Sequence, residues 1–386
     1  MKLYKRTWAE VDLDRLGGNY RAYRARLPES IEVMCVVKAF CYGHGDGVCM
    51  RYLQDELDVK WFAVSNLYEA ERLRKLGITG EILILGYTDP ADAAELIEHN
   101  IIQAIVSEDY AHRLSDNAGG GRVRCHIAAD TGMTRIGVRG SAGQIADAFC
   151  RIAELPGLDV CGAFTHYAVA DTLTDDCIAY TEAQAELLYS AAELARSRGV
   201  KLETVHSLNS AGGLFRCDER SALARLGIIL YGLTPDRSLT LPEEIKPVMS
   251  LRSVVSRVED IPAGVSVSYG RTFTTDKPTR LATVSCGYAD GYPRALSNLG
   301  EVLIGGKRFG IAGRVCMDQF MVDVTGSDVG PGDIATLIGT DGDETITADD
   351  IADLTGTIGY EIVCGISERV PRAAILGGER VGVYKL

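Results

Sequence analysis

Eight short β-rich runs alternate with helical segments between residues 33 and 232, and this alternation restricts the fold more than any other feature of the sequence. Segments between the runs, such as 89–99, 142–154 and 175–199, have apolar residues spaced by about 3.6, which predicts amphipathic helices. Apolar strands alternating with helices imply a parallel sheet, and eight such units predict a closed (β/α)8 TIM-type barrel of the α/β class. The runs are MCVVK, WFAVS at 61–65, ILIL at 82–85, QAIVS at 103–107, VRCHIAA at 123–129, VCGAFTH at 160–166, TVHSLN at 204–209 and ALARLG at 222–227.

The sequence changes character after Gly232, where prolines and glycines separate short runs such as MSLRSVVSRVED, RLATVSCG and DIATLIG. Short β-rich runs bounded by turn residues predict locally paired strands, so this part is expected to form a mainly β C-terminal domain. The polar loop TPDRSLTLPEE at 234–244 contains two prolines and separates the part with alternating strands and helices from the β-rich part. We therefore predict a barrel domain over residues 11–238 and a β-rich domain over 239–386.

Composition and charge narrow the kind of partner. A net charge of −13 disfavours nucleic acid and anionic membranes, and no apolar run approaches the roughly 20 residues that a membrane span needs. The N-terminus, MKLYKRTWAEVDL, lacks the apolar core of a secretory signal, which favours the cytoplasm. Eleven cysteines without CxxC spacing predict reduced thiols and no metal site. The expected partner is a small molecule.

Polar residues gather where the predicted strands end, and in barrels of this kind the active site lies at the carboxyl ends of the strands. They are Lys38 after the first strand, Arg135 in the loop DTGMTRIG after the fifth, His166 after the sixth, Asn209 and Ser210 after the seventh, and Arg225 with Gly227 on the eighth. This end of the barrel is therefore the predicted site.

Lys38 stands out because an apolar run, VMCVV, leads into it. A lysine at a strand end is commonly a solvated surface charge. At the mouth of a barrel, however, desolvation and neighbouring cations would lower the pKa of Lys38 toward the range that Schiff-base formation and proton transfer need. Taken alone, the residue leaves both interpretations open.

Two glycine-containing segments follow the last two strands, NSAGG at 209–213 and GI at 227–228. Each alone is compatible with an ordinary turn. Together, on the expected side of a barrel, their backbone N–H groups and the Ser210 hydroxyl predict a phosphate site. A reactive lysine beside a phosphate site in a barrel suggests pyridoxal 5'-phosphate as the cofactor.

Eight motifs together carry a more specific resemblance. They are VVKAFCYGHG, DTGMTRIG, FTHYAVAD, HSLNSAG, ARLGIILYG, VSYGRTF, GRVCMDQFMVDV and GTIGYEIVCGISERVPR. In these motifs and their order, the sequence resembles the alanine racemase family over nearly its whole length. The resemblance implies a barrel carrying pyridoxal phosphate and a β domain that residues 1–10 join. It also implies a homodimer whose active sites take residues from both subunits.

The resemblance assigns the cofactor contacts. Lys38 would hold the cofactor covalently, and Arg225, bonded to His166, would face its pyridine nitrogen. An arginine keeps its proton, so that nitrogen would stay unprotonated. Behind Tyr42, two glycines would allow a tight turn, and His44 between them is interpreted as a structural histidine. The phosphate contacts would come from Tyr42, Ser210, Gly227, Ile228 and Tyr360, with Asn209 beside them.

The resemblance also assigns the acid–base and substrate groups. Racemisation removes a proton from one face of Cα and returns one to the other, which two groups on opposite faces serve most simply. Lys38 would be one, and Tyr269 of the partner subunit the other, although a tyrosine in SYG is otherwise commonly a packed strand residue. Arg135 and the Met317 N–H would hold the substrate carboxylate, and Asp318 would order the entrance.

Ala128 departs from the family pattern. Many members have a lysine, often carbamylated, seven residues before the arginine of DTGMxR, where it orients that arginine, whereas HIAADTGMTR has Ala128. Another group or a bound anion is therefore expected to position Arg135, or the site is looser. Phe40 and Cys41 also replace smaller or more polar residues, and Cys41 is interpreted as a packed thiol.

The implied function is racemisation of alanine, which supplies D-alanine for peptidoglycan. GITGEILILGYTDP and FTHYAVADTL also resemble the racemase domains of vancomycin-resistance serine racemases, so serine or broader racemisation is the alternative within enzymes. Tyr360 favours alanine, because a tyrosine there crowds the substrate side chain. A barrel that carries pyridoxal phosphate without turnover is the alternative of another class. Tyr269 argues against it, since a carrier needs no second base.

Overall fold

Strand β1 (Thr7–Asp12) and the helix Leu13–Arg24 connect the two parts of the fold. The structure, a computed structural model, describes residues 2–385. Met1 and Leu386, both predicted to belong to the β-rich part, lie outside the described residues. Asp12 ends the strand and caps the helix, because its carboxylate accepts the Arg15 N–H at 2.9 Å. This cap fixes where extended backbone becomes helical.

Eight parallel strands form the barrel sheet. They are β2 (Glu32–Val36), β3 (Trp61–Val64), β4 (Glu81–Ile84), β5 (Ile102–Ile105), β6 (Val123–Ala128), β7 (Leu158–Phe164), β8 (Thr204–His206) and β9 (Leu223–Leu226). They pair in the order β8-β7-β6-β5-β4-β3-β2-β9. The ring closes between β8 and β9, where the Ala222 N–H donates to the Val205 carbonyl at 2.9 Å and the Arg225 N–H to the Leu208 carbonyl at 3.0 Å. The predicted barrel is confirmed.

Helices lie between the barrel strands, and side-chain caps mark where several of them begin. Asn66, Ser107 and Ser141 each accept a backbone N–H of the first helical turn, and Ser141 forms a reciprocal capping box with Gln144. The helices predicted over 89–99, 142–154 and 175–199 are confirmed, the first as a 3-10 turn followed by a short helix. The helical segments are Asp46–Arg51, Tyr52–Glu56, Leu67–Lys75, Pro90–Asp92, Ala93–Glu98, Glu108–Asp116, Ala142–Ala153, Asp175–Ser197, Ser210–Phe215 and Ile228–Tyr231.

The remaining strands follow residue 248. They are β10 (Met249–Ile261), β11 (Ser266–Val267), β12 (Phe273–Thr274), β13 (Thr279–Val284), β14 (Glu301–Ile304), β15 (Lys307–Ala312), β16 (Phe320–Asp323), β17 (Ile334–Asp341), β18 (Glu344–Ile346), β19 (Arg372–Leu376) and β20 (Glu379–Tyr384). β11 and β12 form a hairpin, and the other nine form one sheet with β1. Two helices, Ala348–Thr355 and Gly359–Gly365, lie between β18 and β19. The predicted mainly β character is confirmed.

β1 lies inside the second sheet, antiparallel to β10 and parallel to β19. Buried apolar side chains of the barrel and of this sheet form one continuous core. Strand β1, which precedes the first helix, is therefore part of the C-terminal sheet. The division predicted between residues 238 and 239 stays a prediction. Among the helices described within residues 2–385, none has the length and apolar character needed to cross a membrane.

Candidate active site

A cavity of about 280 Å³ opens at the carboxyl ends of the barrel strands. Lys38, Arg135 and His166 line it, with Phe164 and Ala128 as part of its apolar wall. Burial lowers the pKa of Lys38, and the nearby Arg135 cation lowers it further. The structure thus brings together polar residues that the sequence places far apart, around a lysine amine that loses its proton more readily than usual.

The segment Lys38–Tyr42, which joins β2 to the site, is a left-handed turn. Ala39, Phe40, Cys41 and Tyr42 have φ between 50° and 57°, and Gly43 follows at 78°. Left-handed backbone costs an L-residue roughly 1–2 kcal/mol, so four successive non-glycine residues store strain. The glycines quoted from the sequence predict a tight turn but not this left-handed run before them.

Hydrogen bonds from outside the turn hold it. Glu69 accepts the Ala39 N–H at 2.8 Å, and the Nδ1 atom of fully buried His44 lies 3.0 Å from the carbonyl oxygens of both Cys41 and Tyr42. Burial lowers the pKa of His44 to about 4, so the ring is neutral and donates from Nδ1. These contacts support the structural interpretation of His44.

A small cradle of donors lies beside the turn, formed by Tyr42, Ser210 and Gly227. The Gly227 N–H donates to the Ser210 hydroxyl at 2.7 Å. A Cβ atom at Gly227 would lie 3.0 Å from the Tyr42 hydroxyl and 3.4 Å from the Ser210 hydroxyl, so only glycine leaves this space open. Two hydroxyls and two backbone N–H groups, counting that of Ile228, suit a phosphate.

Tyr360 and Asn209 border this cradle. The ring centroid of half-buried Tyr360 lies 6.1 Å from that of Tyr42, and burial raises the pKa of both tyrosines, so both hydroxyls stay available as donors. The Asn209 carboxamide accepts the Gly212 N–H at 2.8 Å and caps the helix Ser210–Phe215. Its side chain therefore orients Ser210 within the cradle.

Arg225 is a buried cation on β9, the strand that closes the barrel. Its guanidinium donates to the carbonyl oxygens of Thr165 at 2.7 Å and Ser207 at 3.0 Å, and to His206 Nδ1 at 2.6 Å. The His166 Nδ1 atom lies at 3.4 Å. Burial lowers the pKa of Arg225 to about 10, which still leaves it charged near neutrality. These contacts fix the plane of the guanidinium.

Sequence reasoning assigned the contact with Arg225 to His166 and missed His206, which makes the shorter one. Because Arg225 donates to His206 Nδ1, the neutral ring of His206 carries its proton on Nε2. That atom lies 3.1 Å from Nδ1 of His126, another fully buried histidine. Burial lowers the pKa of His126 to about 3 and that of His206 well below its usual value. In the sequence, the only indication of this contact was that His126 and His206 both lie inside predicted strands.

Arg135 is exposed in the loop after β6, and within residues 2–385 its side chain has no hydrogen bond or ion pair. The Asp130 carboxylate orders the loop by accepting the N–H groups of Gly132 at 3.1 Å and Thr134 at 2.8 Å. Ala128 is buried in the cavity wall and offers no polar atom from its side chain. The guanidinium of Arg135 therefore lacks the support that the carboxylate of a carbamylated lysine at 128 would give.

The candidates from the second sheet do not line this cavity within one chain. Tyr269 and Met317 are 73% and 53% exposed, and Asp318 is also on the surface, where it accepts from Arg369 at 2.5 Å. A Cβ atom on Gly270, next to Tyr269, would lie 3.0 Å from the guanidinium carbon of Arg314. The guanidinium of Arg314 therefore lies against the backbone of the residue that follows Tyr269.

The chain matches two family profiles that together span most of its length. The profile described as alanine racemase, N-terminal domain, matches residues 11–235, and the one described as alanine racemase, C-terminal domain, matches residues 248–374. Curated relatives include alanine racemases from Carboxydothermus hydrogenoformans and Symbiobacterium thermophilum, each 40% identical. The alignments cover 95% and 97% of this chain and 98% and 97% of those proteins.

Solved structures of similar shape are also alanine racemases. The Bacillus anthracis enzyme with bound L-Ala-P has a TM-score of 0.92 and 35% identity, with 100% of this chain and 99% of that chain covered. The Clostridium difficile enzyme in complex with cycloserine has a TM-score of 0.89 and 33% identity over the same shares. Sequence and shape thus agree over the full length of both parts of the fold.

The buried histidines predict a strong loss of stability in acid. Burial lowers the pKa of His44, His126, His166 and His206, whereas an unfolded histidine titrates near about 6.5. Above that value neither state binds the proton, and below it the unfolded state binds more. The free energy of unfolding should therefore fall as pH drops from about 6.5 toward about 4, by about 1.4 kcal/mol per pH unit for each of His44 and His126, whose native pKa values are about 4 and about 3.

Urea unfolding of wild type and His126→Asn at several pH values tests this expectation. The variant should lose about 1.4 kcal/mol per unit from the slope around pH 5. His112→Asn, on an exposed position of the helix Glu108–Asp116, is the control and should keep the wild-type slope. Equal slopes for wild type and His126→Asn would contradict the argument.

Proposed function

Since this chain belongs to the alanine racemase family, we propose that it interconverts L- and D-alanine with pyridoxal phosphate by moving protons at Lys38 and at Tyr269 of the partner subunit. The observation that carries the proposal is the cavity where the lowered-pKa amine of Lys38 lies between Arg135 and His166. The donor cradle of Tyr42, Ser210 and Gly227 beside it supports the choice of cofactor.

The residues around the cavity fit pyridoxal phosphate. Lys38 would hold it through its amine, the cradle with Ile228 and Tyr360 would bind the phosphate, and Arg225 would face the ring nitrogen. Bound pyridoxal phosphate withdraws electrons from the Cα atom of an attached amino acid and so makes the Cα proton acidic. The protein must then supply groups that remove and return that proton.

Lys38 suits one of these roles because burial, together with the Arg135 cation, lowers the pKa of its amine, and the neutral form of an amine accepts a proton. Arg225 suits a different role. It donates to carbonyl oxygens and to neutral histidine, so its charge is fixed in place. A fixed cation that keeps its proton would leave the cofactor nitrogen unprotonated, which limits charge delocalisation and hence side reactions.

Tyr269 of the partner subunit is proposed as the second proton carrier. In one chain this tyrosine is exposed and outside the cavity, as are Met317 and Asp318. A homodimer that places these surface residues of one subunit over the cavity of the other would account for all three exposures.

Alanine is proposed as the preferred substrate. Arg135 and the Met317 N–H of the partner subunit would bind its carboxylate, which explains an exposed arginine beside the cavity. The Tyr360 ring, half-buried and packed toward Tyr42, would leave room for a methyl group rather than a longer side chain. Supply of D-alanine for peptidoglycan and a cytoplasmic location stay predictions.

The first test is turnover. Purified protein supplied with pyridoxal phosphate should convert L-alanine to D-alanine faster than L-serine to D-serine, because Tyr360 restricts the side chain. Chiral chromatography of each product measures both rates. Faster serine turnover would contradict the assignment of Tyr360, and no turnover of either would favour a cofactor carrier over an enzyme.

The second test removes the hydroxyl of Tyr269. Tyr269→Phe should lower kcat for alanine by at least about a hundredfold, because general acid–base groups typically contribute that much, while cofactor absorbance is retained. Tyr4→Phe is the matched control, since Tyr4 is also 73% exposed, and it should leave kcat unchanged. Wild-type kcat in Tyr269→Phe would refute the two-base proposal.

The third test asks whether the sites are shared. Lys38→Ala and Tyr269→Phe chains, each inactive alone, are refolded or coexpressed together. In a symmetric dimer each mixed pair would contain one site with both residues intact, so random mixing should restore about a quarter of wild-type activity. Mixed dimers isolated through two different affinity tags but lacking activity would exclude shared sites.

A further inference from the structure

Arg372, at the start of β19, is a fully buried arginine whose observed partners are all backbone carbonyls. Its Nε donates to the Gly43 carbonyl at 2.9 Å, Nη1 donates to those of Ser367 and Val370, both at 2.6 Å, and Nη2 donates to that of Ile366, also at 2.6 Å. Within residues 2–385 no carboxylate lies within ion-pair distance of it. Burying a cation without an anionic partner costs free energy, so the guanidinium is stable here only if all of these hydrogen bonds form.

The four carbonyls belong to two segments that border the cofactor cradle. Ile366 and Ser367 directly follow the helix Gly359–Gly365, which carries Tyr360 in its first turn. Gly43 ends the left-handed turn that carries Lys38 and Tyr42. The guanidinium therefore joins the end of the Tyr360 helix to the end of the Tyr42 turn. A cation at a helix C-terminus is also favourable for the helix dipole.

The two segments touch closely where Arg372 joins them. A Cβ atom at Gly43 would lie 2.1 Å from the Val363 carbonyl oxygen and 3.2 Å from the Cα of Cys364, so glycine alone allows this approach. Both neighbours lie in the Tyr360 helix. Any displacement of that helix would therefore press on the turn, or pull away from it, at the position next to Tyr42.

The turn needs such support because its backbone is strained. Four non-glycine residues in left-handed conformation together cost several kcal/mol, and such strain persists only where surrounding contacts over-determine it. His44 bonds the carbonyls of Cys41 and Tyr42, and Arg372 bonds the next one along the chain, that of Gly43. Arg372 is the member of this set that comes from the C-terminal sheet.

We propose that Arg372 is a positioning residue for the phosphate end of the cofactor site, fixing Tyr42 relative to Tyr360 by joining the two segments that carry them. This inference rests on the proposed binding of pyridoxal phosphate at the Tyr42–Ser210–Gly227 cradle. It makes the C-terminal sheet part of the cofactor site within a single chain, apart from any residue that a partner subunit contributes.

The test compares pyridoxal phosphate with pyridoxal, which lacks the phosphate. The dissociation constant of each is measured by absorbance titration of the apoprotein, and their ratio gives the preference for the phosphate. In Arg372→Met that preference should fall about tenfold, since displaced tyrosines lose at least one charged hydrogen bond. In the double variant with Tyr42→Phe, the further effect of Arg372→Met should be much smaller.

Arg74→Met is the matched control. Arg74 is half-buried and also donates only to backbone carbonyls, those of Ile78, Gly80, His99 and Asn100, at the opposite end of the barrel. Arg74→Met should lower the free energy of unfolding by an amount comparable to that in Arg372→Met. The ratio of its dissociation constants for pyridoxal and pyridoxal phosphate should stay at the wild-type value. A ratio that falls equally in both variants would mean that general loosening, and not positioning, is responsible.

The outcomes separate this inference from the function it rests on. Wild type that binds neither compound would refute the cofactor proposal itself. Wild type that prefers the phosphate, with an unchanged ratio in folded Arg372→Met, would refute only the role of Arg372. Arg372→Lys keeps the charge but not the bonding pattern and should show a smaller ratio change in the same direction. If neither variant folds by circular dichroism, Arg372 serves folding and the inference is wrong.

Discussion

The buried guanidinium of Arg225 is the constraint on which the site depends. A cation inside a barrel is tolerated only when its donors are satisfied, so the ends of β7 and β8 must present carbonyl oxygens and a neutral histidine to it. The backbone N–H of the same residue closes the ring against Leu208. Arg225 therefore contributes both to the closure of the barrel and to the position of His166, which follows Thr165 in the chain.

The cavity carries positive charge although the whole chain carries −13. Lys38 and Arg135 line it, and the buried Arg225 lies 3.4 Å from His166 in its wall. Burial and these three cations lower the pKa of His166 well below its usual value. Such a region attracts anionic groups such as phosphates and carboxylates, although the chain as a whole is acidic. Burial is the main cause of the lowered pKa of Lys38, and the charge of Arg135 lowers it further.

The sequence predicted what is encoded locally. Apolar strands, helix spacing and the polar residues at strand ends were sufficient to predict the barrel and the placement of Lys38, Arg135 and His166 around one cavity. It did not predict the left-handed turn, since Ala39–Tyr42 contains no residue type that favours φ above zero. The support for that turn comes from Glu69 and Arg372, far away in the chain. The His206–His126 contact likewise depends on which strands become neighbours across the barrel interior.

Ala128 determines at which step the conformational entropy of the Arg135 side chain is lost. A lysine-derived group at this position would hold the guanidinium of Arg135 before substrate arrives, whereas here the arginine is exposed without a partner in residues 2–385. Ordering a free arginine side chain costs up to about 2 kcal/mol of conformational entropy. If Arg135 binds the substrate carboxylate, this entropy is lost when substrate binds. The loss therefore weakens substrate affinity more than it lowers the reaction rate of substrate that is already bound. Lys38, at the start of the left-handed turn that Glu69 and His44 hold, does not share this looseness.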